Sequence, residues 1–174
     1  MDEPVEIGSA QILGASAGVL ALDTGDAVAS ISLQLVRQAR RTLAIVSRHL
    51  DPLLYDNDEF YTAVKDLARS HRLACVRIFI IDPRPLVSGG HRLLGLAERL
   101  SSTVSIRTPA PEHKQFNEAF LLADNVGYVH RQLSDRYEAE ADFAGPRRAH
   151  ALADRLTELW ERGLPDPNFR RLHL

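Results

Sequence analysis

The spacing of apolar positions changes along the chain. In "DTGDAVASISLQLVRQARR", Val28, Ile31, Leu35 and Val36 recur at helical spacing behind Asp23, Thr24 and Asp26, which suit a helix start. "TLAIVS" follows at once, a short apolar run with the length of a buried strand. The alternation then repeats. "DNDEFYTAVKDLARSH" carries a stripe of Phe60, Val64 and Leu67, and "ACVRIFIID" reads as a strand ended by Pro83. "GGHRLLGLAERLSS" reads as a helix with Leu93, Leu96, Ala97 and Leu100 on one face, and "TVSIRTP" as a third strand. Strands alternating with helices of about 10–15 residues predict parallel βαβ units.

After Pro111 the pattern shortens. "NEAFLLAD", "GYVHRQ" and "RYEAEADF" read as three strands joined by Asn125-Val126 and Leu133-Ser134-Asp135, which is hairpin behaviour. Gly145-Pro146 then precedes a long helix, "RRAHALADRLTELWERG", whose Ala149, Leu152, Leu156, Leu159 and Trp160 face the sheet. Residues 1–22 are rich in small residues and read as a lead-in with a short strand. "LPDPNFRRLHL" holds two prolines and reads as an extended tail over the surface. The expected architecture is one α/β domain over 23–174, with a mixed β-sheet flanked by helices.

Composition agrees with this picture. The chain has 174 residues, 45% hydrophobic and 25% charged, enough for a core without metal or disulfide support. Cys75 is the single cysteine, so no internal disulfide forms, which suits a reducing compartment. The acidic "MDEPVEIGSA" lacks the pattern of a signal peptide, and no apolar run reaches the roughly 18 residues of a spanning helix. A cytoplasmic protein without membrane contact is expected. The net charge of −2 does not supply the basic surface that non-specific nucleic-acid binding needs, although a local patch remains open.

Conventional catalytic signatures are sparse. The seven histidines lie in no Cys/His cluster and no H-E-x-x-H arrangement, so neither metal nor cofactor is expected. "SGGH" at 88–91 lacks the spacings of nucleotide-binding loops. Cys75 sits inside an apolar strand, as a buried inert thiol would. Arg37, Arg40, Arg41 and Arg48 border the first long strand, and Arg69, His71 and Arg72 end the second helix; solvated helix ends account for such groups. Arg147 and Arg148 run against the dipole of the last helix and are better candidates for an acidic partner. The strongest constellation follows "VSIRTPAPEHKQFNEAFLLADN". If the strands there end side by side, Arg107, His130, Arg131 and Glu138 make one polar cluster at the carboxyl edge of the sheet, where such folds bind ligands. A structural ion-pair network is the competing reading.

The order of elements resembles one half of a phospholipase D-like domain. "RRTLAIVSRHLDP", "CVRIFIID", "VSIRTP" and "NEAFLLADNVGYVHR" follow in that family's order, and "LTELWERGLPDPNFRRLHL" resembles its closing segment. The resemblance covers about residues 24–174. It is nearest to a bacterial family of unknown function whose members stand alone or behind acetyltransferase domains. That family's catalytic strand carries H-x-K-x-x-x-x-D. With Asp124 on the aspartate, Asn117 stands at the nucleophile and Ala119 at the lysine, and Arg131-Gln132 stand at the Gly-Ser pair. Asparagine is no comparable nucleophile and alanine carries no charge, so the resemblance implies a degenerate site. His113 and Lys114 are adjacent and would point to opposite faces of an extended chain, so they do not replace the lost pair.

Three functions follow from the resemblance. The first is a non-catalytic module that binds a partner protein or a phosphate-bearing ligand through Arg107, Arg131 and Arg136, with Asn117, Asp124, His130 and Glu138 as polar lining. The second is a divergent phosphodiesterase or nuclease, acting as a homodimer and using His130 or His113. The third is a scaffold or oligomerisation module serving an acetyltransferase.

Overall fold

The computed structural model describes residues 10–166 and Phe169. The first nine residues and the rest of the expected tail lie outside the described residues. Seven strands form one sheet: β1 (Leu20–Leu22), β2 (Thr42–Ser47), β3 (Cys75–Ile80), β4 (Val104–Arg107), β5 (Ala119–Ala123), β6 (Gly127–Arg131) and β7 (Ala139–Asp142). Their order is β1-β7-β6-β5-β2-β3-β4. β2, β3 and β4 run parallel, and the other neighbours are antiparallel, so the sheet is mixed. The lead-in contributes β1, which pairs with β7 across more than a hundred residues of chain.

Strand alternation sorts the side chains into two cores. Leu43, Ile45, Val76, Ile78, Leu121 and Val129 join the layer built by α1 (Gly25–Gln38), α2 (Pro52–Tyr55), α3 (Asp58–Ser70), α4 (Arg84–Gly89) and α5 (Arg92–Arg99). Val46, Phe79, Phe120, Leu122 and Tyr128 join the opposite layer, where α6 (Pro146–Arg162) places Ala149, Leu152, Leu156, Leu159 and Trp160. β5 is buried at all five positions because both faces are covered and β2 and β6 flank it. Each such Leu, Ile or Phe contributes about 1.5–3 kcal/mol by leaving water.

The helix starts follow from local chemistry. Thr24 Oγ1 accepts from the Ala27 amide at 3.1 Å, and Asn57 Oδ1 accepts from the Phe60 amide at 2.8 Å. Two short helices fall outside the sequence expectation. α2 has four residues, too few for a periodic stripe, and rests on Pro52 and on Asp51 Oδ1 accepting from the Leu53 amide at 3.0 Å. α4 ends at Gly89, so the glycine pair closes one helix instead of opening the next. Gly90 takes φ 72°, a left-handed conformation that glycine adopts without strain. α5 then begins at Arg92, capped by His91. β7 is shorter than "RYEAEADF", because residues 136–138 belong to a loop held from β6. No helix among the described residues is long and apolar enough to cross a membrane.

Candidate functional site

The carboxyl end of β2 meets the start of β5 and the end of β6, as the pairs Val46 with Phe120 and Ala119 with Arg131 require. Immediately beyond this end, Ser47 Oγ accepts from the Leu50 amide at 3.0 Å, and Leu50 takes φ 56°. The resulting turn leaves Arg48 directed at the loop before β5. Its Nη2 donates to the Phe116 carbonyl at 3.2 Å and to Asn117 Oδ1 at 3.4 Å, and its Nε donates to Ser134 Oγ at 3.4 Å. Ser134 Oγ donates to Asn117 Oδ1 at 2.7 Å, and the Ser134 amide donates to the Asn117 carbonyl at 2.8 Å. Arg48 is half-buried and forms no ion pair with a carboxylate among the described residues.

Arg131 lies at the same end but does a different job. It is buried, and its Nε and Nη2 donate to the carbonyls of Arg136 and Ser134, each at 2.6 Å. Its guanidinium lies 5.0 Å from the Tyr137 ring centroid, and its Nη1 lies 4.0 Å from Asp51 Oδ2. Tyr137 donates its hydroxyl proton to Asp51 Oδ2 at 2.9 Å. These bonds fold the 132–138 loop back over the sheet end and present Ser134 to Arg48. Burial pushes the nearby Tyr55 phenol far above its ordinary value, with Arg131 opposing the shift, so Tyr55 stays a neutral hydroxyl. On the rim, hydrogen bonding from Arg84 holds the Asp82 carboxyl down at about 2.

The remaining candidate residues lie elsewhere. His130 and Arg131 are neighbours on a strand, so they point to opposite faces. His130 sits under α6, 3% exposed, with Nε2 at 2.6 Å from Glu118 Oε2 and Nδ1 at 3.0 Å from Arg148 Nη2. Arginine can only donate, so this geometry fits an imidazole that carries its proton on Nε2 and gives it to Glu118. Glu118 also pairs with Arg155. Arg148 stays exposed while its Nη2 reaches His130, so it also ties the start of α6 to the sheet. Arg107 donates to the Trp160 carbonyl at 2.7 Å, on the α6 face.

Asp124 lies at the other end of β5, in the β5–β6 turn, where it and Asn125 take φ 52° and 54°. Its carboxylate accepts the amides of Arg40, Arg41 and Thr42 at 2.8, 2.8 and 2.9 Å. Arg136 and Glu138 are exposed, and Arg136 contributes its backbone carbonyl to the Arg131 network. The structure thus joins Asn117, Arg131 and the Arg136 backbone at one end, and separates Arg107, Asp124 and His130 from them.

Sequence reasoning set Arg48 aside with the solvated basic groups and gave Ser134 only a place in a strand connection. The signal for Arg48 was its place, one residue after a buried strand, at the carboxyl edge that such sheets use for ligands. No group of three His, Cys, Asp or Glu side chains among the described residues is placed to hold a metal ion.

The fold is that of the phospholipase D family. The chain is similar to the structure of a phospholipase D family member, Nuc from Salmonella typhimurium, at a TM-score of 0.61 and 15% identity, covering 86% of this chain and 97% of that one. It is similar to NucT from Helicobacter pylori at a TM-score of 0.60 and 10% identity, covering 86% and 98%. It is also similar to TrmBL2, an archaeal chromatin protein with a novel mode of DNA binding, at a TM-score of 0.61 and 13% identity, spanning 85% of this chain and 54% of TrmBL2. Within that fold, the chain belongs to the family described as a domain of unknown function, DUF7931, whose model matches residues 24–172. No curated protein matches the chain.

Proposed function

We propose that the protein is a non-catalytic phospholipase D-like module that binds a phosphate-bearing ligand at the carboxyl end of its sheet. The observation that carries this reading is Arg48. It is a half-buried guanidinium without a carboxylate partner among the described residues, held by three bonds of 3.2–3.4 Å, beside the position where the family resemblance puts a nucleophile. Such bonds are long for a charged donor, and a phosphate oxygen offers shorter, charge-assisted ones. Asn117 supplies no nucleophile there, and its amide oxygen already accepts from Ser134 and Arg48. His130 is no replacement, because it lies beneath α6 on the other face of the sheet. DNA binding by TrmBL2, which shares this fold, supports a phosphodiester as the ligand class to try first.

Fluorescence anisotropy with a short labelled oligonucleotide tests the reading. Arg48→Ala is expected to weaken binding about tenfold, the loss of a charge-assisted contact. Binding that Arg48→Ala leaves unchanged, or hydrolysis of the oligonucleotide that Arg48→Ala and Asn117→Ala both abolish, would sink it.

A further inference from the structure

A groove with a volume of 670 Å³ runs along β4, the edge strand of the sheet. Strand register builds it. Arg77 pairs directly with Ser105, and Phe79 pairs with Arg107, so Arg77, Ser105 and Arg107 form a triangle on the α6 face. Both guanidinium groups lie against one indole, 5.4 Å and 4.8 Å from the Trp160 centroid. Neither forms an ion pair with a carboxylate among the described residues. Like charges in neighbouring sheet positions repel, and shared stacking on Trp160 offsets only part of that. An anion between them removes the repulsion.

The rest of the groove narrows the chemistry. Its lining alternates between the two faces of β4, so it wraps round the strand edge to α5. There Glu98 Oε1 is buried without a hydrogen-bond partner, an acceptor waiting for a donor. Asp166 also lines it. The volume lies in the range of small-molecule sites.

We infer that this groove binds a nucleotide, with its phosphate on Arg77, Ser105 and Arg107 and an N–H donor of its base on Glu98. The site shares no residue with the Arg48 cluster and goes beyond the function proposed above.

Calorimetric titration of the full chain with adenosine monophosphate, adenosine and inorganic phosphate tests it. The monophosphate is expected to bind more tightly than either fragment. Arg77→Ala, an exposed change that leaves the core intact, is expected to weaken it about tenfold, as loss of one charge-assisted contact does. Glu98→Met is expected to weaken the monophosphate several-fold and leave inorganic phosphate unchanged. Circular dichroism confirms that each variant is folded. A monophosphate that binds no better than phosphate, or that Arg77→Ala leaves unaffected, overturns the inference. Loss of binding in Arg48→Ala alone puts the nucleotide at Arg48, which also overturns the groove while leaving the proposed function intact.

Discussion

Replacing Asp124 measures how much of the sheet depends on one turn. The carboxylate draws together the amides of Arg40, Arg41 and Thr42, at the join between α1 and β2. The Asp124 amide returns a bond to the Thr42 carbonyl at 2.9 Å. The residue does this from φ 52°, where a Cβ is disfavoured and Asn and Asp are better tolerated than most. Two of the three amides are near solvent, so water recovers part of what is lost. A net value of about 0.7–1 kcal/mol per bond is then reasonable, or roughly 2–3 kcal/mol for the set. Alanine adds about 1 kcal/mol for its left-handed backbone, and glycine does not. Asp124→Ala is therefore expected to cost about 3–4 kcal/mol, Asp124→Gly about 2–3 and Asp124→Asn about 1, since asparagine keeps an oxygen for the Arg41 and Thr42 amides. Urea unfolding followed by circular dichroism reads these differences as shifts in midpoint. If alanine costs less than about 1 kcal/mol, or glycine costs more than alanine, the assignment of Asp124 as a turn clamp is wrong.

Arg131→Lys is expected to destabilise the protein by about 2–3 kcal/mol in urea unfolding, because an ammonium cannot serve the Ser134 and Arg136 carbonyls as a fork does. An acid-linked loss of stability is expected from His91, whose pKa burial lowers from 6.5 against the pull of Asp56. The unfolded chain takes up the proton first, so stability falls as pH drops below about 6.5 and levels once the folded histidine also titrates. His91→Asn, which retains a capping oxygen, should flatten that slope in unfolding midpoints collected across the same pH range.

The elements that repeat a period over several turns were readable without coordinates. α1, α3 and α6 each carry an apolar stripe, and β2 and β5 are unbroken apolar runs between polar boundaries. α2 and α4 were not, since four and six residues are too short for a stripe and are set by proline and capping chemistry. The site was harder to read. Asn117 was legible as a position in a pattern, but its partners Arg48 and Ser134 lie 69 and 17 residues away and meet only through register. Asp124 ends its strand as expected. Its carboxylate serves amides more than eighty residues upstream, which no local pattern announces. His130 and Arg131 were grouped by their common strand end, and strand alternation sent them to different networks.

The two faces of the sheet are closed at different times during synthesis. Five helices, all encoded before β5, cover one face; the other waits for α6, which follows every strand. Until α6 emerges from the ribosome, Val46, Phe79, Phe120, Leu122 and Tyr128 have no helix over them. β1 must likewise wait for β7, near the end of the described chain. The nascent chain therefore leaves this apolar face without its helix until the last element is made, the kind of exposed surface that favours aggregation. When α6 does arrive, Arg155 pairs with Glu118 and Arg148 bonds His130, so two polar contacts with the sheet side join its apolar face.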